Sequence, residues 1–180
     1  MEPELPLPAV KVTGRDVFFY CDVDRDTVAE LCVALKKLER ELMYEEVPTI
    51  RIHIHSDGGE LHAGLGAMDF IKSLACRTVT IAEGVCASAA TFLFLAGDKR
   101  VVTPNSYLLI HQLGSEFWGK YENMKDEMDQ CDRLMKQMKR IYLSETNLPD
   151  TKLDRLMKRD LYLSARKCVK YGLVKTGALA

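Results

Sequence analysis

The sequence predicts an α/β fold in which helices cover a largely parallel sheet. Segments typical of strands and helices alternate three times from the start of the chain, which is the signature of βαβ units. A long helical pattern runs from about residue 120 to 143. Its length of roughly 35 Å is more than twice the radius of gyration of roughly 16 Å expected here. A chain of 180 residues favours one domain, residues 15–180, with a substantial core.

The first elements follow from the positions of proline and from the spacing of apolar residues. Three prolines within residues 1–14 predict an extended N-terminal arm without packing of its own. Residues 16–21 (DVFFYC) predict a short strand. Either Asp24 or Asp26 is expected to cap the next helix, whose apolar residues recur at helical spacing to about Met43.

The middle of the chain predicts a strand, a turn, a helix and another strand. Residues 49–55 (TIRIHIH) are the strand, and the two glycines of residues 56–59 (SDGG) predict a turn. Residues 60–75 follow as a helix, and its two glycines indicate close packing against a sheet. Residues 77–83 (RTVTIAE) form the next strand.

Ser88 is predicted to open a third helix, which continues into the apolar run of residues 92–95. Residues 99–103 and 107–112 are then strands around the turn at residues 104–106. Small residues commonly begin buried helices, so Ser88 alone indicates either a nucleophile or a residue chosen for its size.

The long helical pattern has an apolar stripe along one face. Its members are Tyr121, Met124, Met128, Cys131, Met135, Met138 and Tyr142. A helix too long for the body of the protein is expected to protrude, and an apolar stripe on it requires a partner surface. The four methionines make such a surface adaptable. The alternative is a helix that folds wholly back on its own domain.

Composition excludes several classes of function. With 25 basic and 26 acidic residues the net charge is −1, which predicts binding neither to nucleic acid nor to an anionic membrane. The N-terminus lacks a secretion signal and no run spans a bilayer, so we expect a cytoplasmic protein. Six scattered cysteines without paired spacing are expected to be reduced. No cofactor and no metal are expected.

Serine hydrolysis requires a nucleophile, a base, a group that orients the base, and amide donors for the oxyanion. Ser88 is one candidate, and His111 places a titratable ring at the end of an apolar strand. Asp160 lies between two basic residues and an alternating apolar segment. Each signal is weak alone, because strand-end histidines and charged runs are usually structural.

Four blocks in the same order resemble the proteolytic subunit of the Clp protease, a family of serine peptidases. Residues 55–59 (HSDGG) stand where that family has a Ser-Pro-Gly-Gly turn. Residues 84–90 (GVCASAA) resemble its Gly-x-Ala-Ser-x-Ala nucleophile motif, and residues 104–112 (PNSYLLIHQ) its histidine motif. Residues 158–174 resemble its C-terminal motif, which begins with Arg-Asp-x-x-x-Ser-Ala and ends with Tyr-Gly-Leu-Val.

The resemblance implies roles for individual residues. Ser88 would be the nucleophile, His111 the general base and Asp160 the carboxylate that orients the base. The amides of Gly59 and Ala89 would form the oxyanion hole. Unpaired N–H groups and the positive end of a dipole at a helix start agree with that assignment.

The resemblance also implies a Clp protease/crotonase-like fold of repeated β-β-α units with a protruding handle helix, residues 119–145. In that family the handle joins two stacked rings, and the resemblance implies that each ring is a heptamer. The expected function is cleavage of peptides or unfolded proteins inside such a homo-oligomer, fed by a partner ATPase unfoldase.

The sequence departs from the family where substrate would bind. Asp57 replaces the family's proline and adds a charge near the proposed oxyanion hole. The expected substrate-binding residues are Gly58, Leu113, Gly114 and Ser115. Residues 113–116 (LGSE) stand where the family usually has Pro-Leu-Gly-Gly. Cleavage preference is therefore left open, and the short N-terminus leaves docking to an ATPase open.

Other interpretations exist for several of these residues. His53, His55 and Asp57 alternate along one strand and could hold a metal, although no further ligands accompany them. Cys86 could be mistaken for the nucleophile, but nothing near it in sequence would activate a thiol. For the whole chain, the alternatives are a crotonase-like acyl-CoA enzyme and a catalytically inactive ring subunit.

Overall fold

Seven strands form one mixed sheet in the computed structural model, which describes residues 9–174. The strands are β1 (Val10–Thr13), β2 (Asp16–Phe19), β3 (Thr49–Ser56), β4 (Arg77–Ala87), β5 (Lys99–Val102), β6 (Tyr107–Leu109) and β7 (Tyr162–Ser164). The helices are α1 (Arg25–Glu41), α2 (Leu61–Ser73), α3 (Ala90–Leu95), α4 (Tyr121–Glu145), α5 (Asp150–Met157) and α6 (Ala165–Lys170). The predicted α/β class is therefore confirmed.

The centre of the sheet is parallel and its two edges are antiparallel. Strands run in the order β1-β2-β3-β4-β6-β7, and β5 also pairs with β4. Strand β4 is long enough to pair with β5 near its start and with β6 at its end. Parallel strands end at the same edge of a sheet, so the turn after β3 and the turn after β4 lie together there.

Part of the segment predicted as an extended N-terminal arm, residues 1–14, is a strand. Residues 1–8, which contain the three prolines, lie outside the described residues. Val10–Thr13 is strand β1, which pairs antiparallel with β2 and buries Val10. This part of the chain therefore adds an edge strand to the sheet.

Asp24, rather than Asp26, caps helix α1. Its carboxylate accepts hydrogen bonds from the amides of Asp26 and Thr27, and the Thr27 hydroxyl accepts one from the Asp24 amide. This reciprocal capping box satisfies donors that the first turn leaves unpaired. The apolar face of α1 is buried against the sheet through Val28, Leu31, Leu35 and Leu38.

Strand β4 extends four residues beyond its predicted end and displaces the start of the next helix. Residues 85–87 pair with β6, a contact between distant segments that local sequence does not reveal. Ser88 and Ala89 then form a turn, and α3 begins at Ala90. Ser88 therefore lies on a sharp turn between strand and helix, not within the helix.

Helix α4 corresponds to the long helical pattern and extends beyond the body of the protein. Residues 121–130 are exposed, whereas Met138 and Tyr142 near its C-terminal end are buried. Helix α5 packs against this C-terminal part, and Lys139 forms ion pairs with Asp150 and Asp154. The alternative of a helix folded wholly back on its domain is wrong for residues 121–130.

In residues 9–174 no helix is long and apolar enough to cross a membrane.

Candidate active site

Ser88 has the only positive φ angle, 53°, among the non-glycine residues from 9 to 174. Left-handed backbone is unfavourable for residues other than glycine and persists where surrounding contacts hold it. The Ser88 amide donates to the Leu109 carbonyl at 2.9 Å, and the Ser88 carbonyl accepts from the Thr91 amide at 3.0 Å. The turn is thus held on both sides, as expected for a residue presented at the end of a strand.

The pairing of β6 with β7 brings His111 and Asp160 opposite each other. Leu109 faces Tyr162 in this antiparallel pair, so continuing the register by two residues places His111 across from Asp160. Nδ1 of His111 lies 3.7 Å from Oδ1 of Asp160. This distance is longer than a hydrogen bond but within range of an ion pair if the imidazole is protonated.

The glycine turn after β3 packs directly against the Ser88 turn. Gly58 and Gly59 have φ angles of 102° and 145°, and a Cβ on Gly59 would lie 2.2 Å from the Val23 carbonyl oxygen. The turn is fixed because the Val23 amide donates to the Gly58 carbonyl and the Glu60 amide donates to the Val23 carbonyl, each at 2.7 Å. Only glycine fits this close approach.

Two backbone amides remain available beside Ser88. Within residues 9–174, neither the Gly59 amide nor the Ala89 amide donates to a protein acceptor. Both residues line the cleft that contains Ser88. Amide donors held rigidly next to a nucleophile are what a developing oxyanion requires.

One cleft of about 470 Å³ contains all three proposed triad side chains. Its other lining residues are Asp57, Gly59, Leu61, Ala87, Ala89, Phe92, Leu109, Gln112, Leu113, Gly114, Met138 and Tyr162. Two predicted substrate-binding residues, Leu113 and Gly114, are therefore at the cleft. Gly58 is buried against Ser88, and Ser115 is exposed outside the lining.

Sequence reasoning missed the groups that support the site from α4. The Leu113 amide donates to the Met135 sulfur at 3.2 Å, so the segment after His111 is attached to the long helix. The Thr91 hydroxyl lies 2.6 Å from the Tyr142 hydroxyl, which is also on α4. Met135 and Tyr142 belong to the apolar stripe predicted for this helix, but their partners are distant in sequence.

The histidines of β3 have partners other than a metal. Nδ1 and Nε2 of His53 lie 2.9 Å from carboxylate oxygens of Glu83 and Asp16, respectively. Nδ1 of His55 lies 3.0 Å from the Glu83 carbonyl oxygen. In the described part of the chain no group of three or more His, Cys, Asp or Glu side chains is arranged to hold a metal ion.

Cys86 is an unsuitable nucleophile. It is fully buried in β4, and burial raises the pKa of its thiol far above the ordinary value. A buried neutral thiol does not attack a carbonyl. Ser88, two residues later, lines the cleft, whereas Cys86 does not.

Comparison with known proteins identifies relatives over most of the chain. The sequence profile of the Clp protease family matches residues 10–176. The chain is similar to the ATP-dependent Clp protease proteolytic subunit of Deinococcus radiodurans, with 35% identity over 162 residues, 89% of this chain and 78% of that protein. The protein of the same description from Chlorella vulgaris is 31% identical over 161 residues, 88% of this chain and 79% of that protein.

A solved structure supports the same relationship. A mutant of ClpP1 from Listeria monocytogenes superimposes with a TM-score of 0.79 and 25% sequence identity, covering 89% of each chain. The similarity extends over most of the sheet and helices described above, which is more than a shared motif would produce.

Proposed function

The chain belongs to the Clp protease family and is a serine endopeptidase of the Clp proteolytic type, and we propose that Ser88, His111 and Asp160 are its catalytic triad. The observation that most supports the proposal is that these residues, from three separate sequence blocks, line one cleft. The left-handed turn at Ser88 and the two available amides beside it agree with this assignment.

In the proposed reaction, Oγ of Ser88 attacks the carbonyl carbon of the scissile peptide bond. Nε2 of His111 takes the hydroxyl proton, because Nδ1 is the nitrogen that faces Asp160. The C–N bond then breaks, and the amine leaves with the proton from His111. Water, deprotonated by the same imidazole, hydrolyses the acyl-enzyme and restores the Ser88 hydroxyl.

The amides of Gly59 and Ala89 are the proposed oxyanion donors. They would donate hydrogen bonds to the negative oxygen of the tetrahedral intermediate. Loss of one such donor typically costs about a hundredfold to a thousandfold in kcat. Gly58 is proposed to support this turn, and Leu113, Gly114 and Ser115 to bind the substrate backbone.

The proposed substrates are peptides and unfolded proteins, cleaved inside a homo-oligomer of stacked heptameric rings. What supports assembly is the exposed apolar face of α4, together with membership of a family whose named relatives are ATP-dependent. A partner ATPase unfoldase and a cytoplasmic location are part of the same proposal. No metal or cofactor takes part in the proposed chemistry.

Labelling with a serine-reactive fluorophosphonate tests the triad directly. We expect a single adduct on Ser88, mapped by mass spectrometry, and at least a hundredfold slower labelling in His111→Ala, on the order of the contribution of a general base. Ser88→Ala should abolish cleavage of a fluorogenic peptide while sedimentation stays unchanged. A folded, assembled wild-type protein that takes up no label would instead indicate an inactive ring subunit.

A further inference from the structure

A chain of two hydroxyls connects Ser88 to the long helix. Oγ1 of Thr91 donates to the Ser88 carbonyl oxygen at 2.6 Å, and the same Oγ1 lies 2.6 Å from the hydroxyl of Tyr142. Thr91 is fully buried and Tyr142 is 1% exposed. The contact spans 51 residues of sequence and joins the first turn of α3 to α4.

The number of protons on the two hydroxyls determines which group donates in each of these hydrogen bonds. A threonine hydroxyl has one proton, and here the Ser88 carbonyl can only accept it. The Tyr142 hydroxyl must therefore donate its proton to Thr91. Burial raises the pKa of the Tyr142 phenol far above its ordinary value, so the phenol keeps its proton and remains a donor near neutral pH.

The Tyr142 ring is itself held in place. It packs against Phe92 with a distance of 5.3 Å between ring centroids and an interplanar angle of 31°. Phe92 lies in α3 and lines the cleft. The phenol is therefore fixed by packing as well as by its hydrogen bond, and it fixes Thr91 in turn.

We propose that Thr91 and Tyr142 are positioning residues that hold Ser88 in its left-handed conformation, and that attack by Ser88 depends on them. The inference rests on the proposed role of Ser88 as nucleophile. A φ of 53° is intrinsically unfavourable for a serine. Ser88 therefore keeps this conformation only while hydrogen bonds fix its carbonyl and amide groups. Without the hydroxyl pair, Ser88 relaxes and its Oγ moves away from the scissile carbonyl.

The test compares five variants of the full chain, namely four single substitutions and the double variant Thr91→Val/Tyr142→Phe. Thr91→Val and Tyr142→Phe each remove one hydroxyl with little change of shape, and Thr91→Ser retains the hydroxyl. Thr80→Val is the matched control, because Thr80 is equally buried and its hydroxyl donates to the Phe94 carbonyl at 2.7 Å, near the other end of α3. Fluorophosphonate labelling rate, kcat and KM for a fluorogenic peptide, and thermal unfolding are measured for each variant.

We expect Thr91→Val and Tyr142→Phe to lower both labelling rate and kcat by about 10- to 100-fold, with KM changed less than about twofold. Thr91→Ser should recover the rates to within about threefold, and the double variant should be no slower than Thr91→Val alone. Thr80→Val should lower the unfolding temperature as much as Thr91→Val does, yet keep the labelling rate.

Two results would overturn the inference. Labelling at the wild-type rate in Thr91→Val and Tyr142→Phe would show that the hydroxyl pair does not hold the nucleophile. An equal loss in Thr80→Val would show that any weakening of α3 has the same effect. If Thr91→Val does not fold, Tyr142→Phe, which keeps the buried ring, decides between these results. Failure of the wild-type protein to label Ser88 would instead remove the proposed function, and the inference with it.

Discussion

Two carboxylates line the proposed active site, and they act on the reaction in opposite directions. Asp160 lies near Nδ1 of His111 and favours the imidazolium that forms when Ser88 loses its proton. Asp57 lies beside the proposed oxyanion donors, and no lysine or arginine pairs with it in the described chain. Its negative charge opposes that of the tetrahedral intermediate.

Removing the charge of Asp57 should therefore accelerate the reaction. Because this side chain is exposed and partly screened, we expect Asp57→Asn to raise kcat/KM by only about twofold to fivefold at low ionic strength. The difference should shrink above about 0.5 M salt, where the screening length is only a few ångströms. Asp69→Asn, which removes an exposed charge from α2, is the control. A slower Asp57→Asn enzyme would show that Asp57 assists the reaction or its substrate binding.

The sequence predicted which residues meet at the cleft but not how Ser88 is held there. Ser88, His111 and Asp160 stand in recognisable motifs, so their types and order were sufficient. The left-handed backbone at Ser88 depends on Leu109 and Thr91, through bonds that close only in the folded chain. A local pattern of small residues favours a helix start, and tertiary contacts determined the turn instead.

Three neighbouring strands, β2, β3 and β4, are joined on one face by a polar network. Arg51 donates to Asp16, and His53 lies between the carboxylates of Asp16 and Glu83. The hydrogen bonds from Arg51, followed by those from His53, lower the pKa of Asp16 to about 2 against desolvation that raises it. Stability should therefore depend on the charge of Asp16.

The sign of this dependence follows from the two pKa values of Asp16. In the unfolded chain its carboxyl titrates near 3.9, above the folded value of about 2, so the ionised form stabilises the folded state. The contribution is complete above about pH 5 and is lost as pH falls through about 2. We expect Asp16→Asn to lose about 1 kcal/mol at pH 7, since solvent screens part of the attraction.

Urea unfolding of the wild type and Asp16→Asn between pH 2 and pH 7 measures this difference. The two free energies of unfolding should converge as pH approaches 2. A difference that stays constant with pH would show that Asp16 stabilises the sheet without its charge. Asp22→Asn provides the comparison, because Asp22 is exposed and, unlike Asp16, forms no salt bridge among residues 9–174.

The sequence predicted elements well where the apolar pattern within the element defines them. It predicted them less well where they depend on pairing with a strand distant in sequence. Helices α1, α2 and α4 appear near their predicted positions, because each has an apolar face of helical period. Strand β4 was predicted to end at Glu83, before Gly84, whereas pairing with β6 continues it to Ala87. Helix α5 has only eight residues, and its short amphipathic pattern was not recognised.

At the scale of the whole molecule, α4 leaves an apolar surface without a partner in the described chain. Met124 and Met128 are 38% and 52% exposed, and Tyr121 is 68% exposed, on the half of the helix that extends beyond the body. Met135, further along, is partly buried and bonded to Leu113, so it belongs to the site instead. The surface available for the proposed inter-ring contact is therefore the part of α4 before residue 132.

A charge at Met128 should separate the assembly at that contact. Burying a carboxylate without a partner in an apolar interface costs several kcal/mol. That cost is on the order of the free energy that the contact made by one α4 helix contributes to the assembly. We expect Met128→Glu to sediment as smaller particles than the wild type, and Met128→Leu, which keeps the apolar surface and the helix, to sediment as the wild type does. Fluorophosphonate labelling of Ser88 in each fraction shows whether the smaller particles retain a competent site. Unchanged sedimentation of Met128→Glu would show that the rings, if they stack, do so through a surface other than this half of α4.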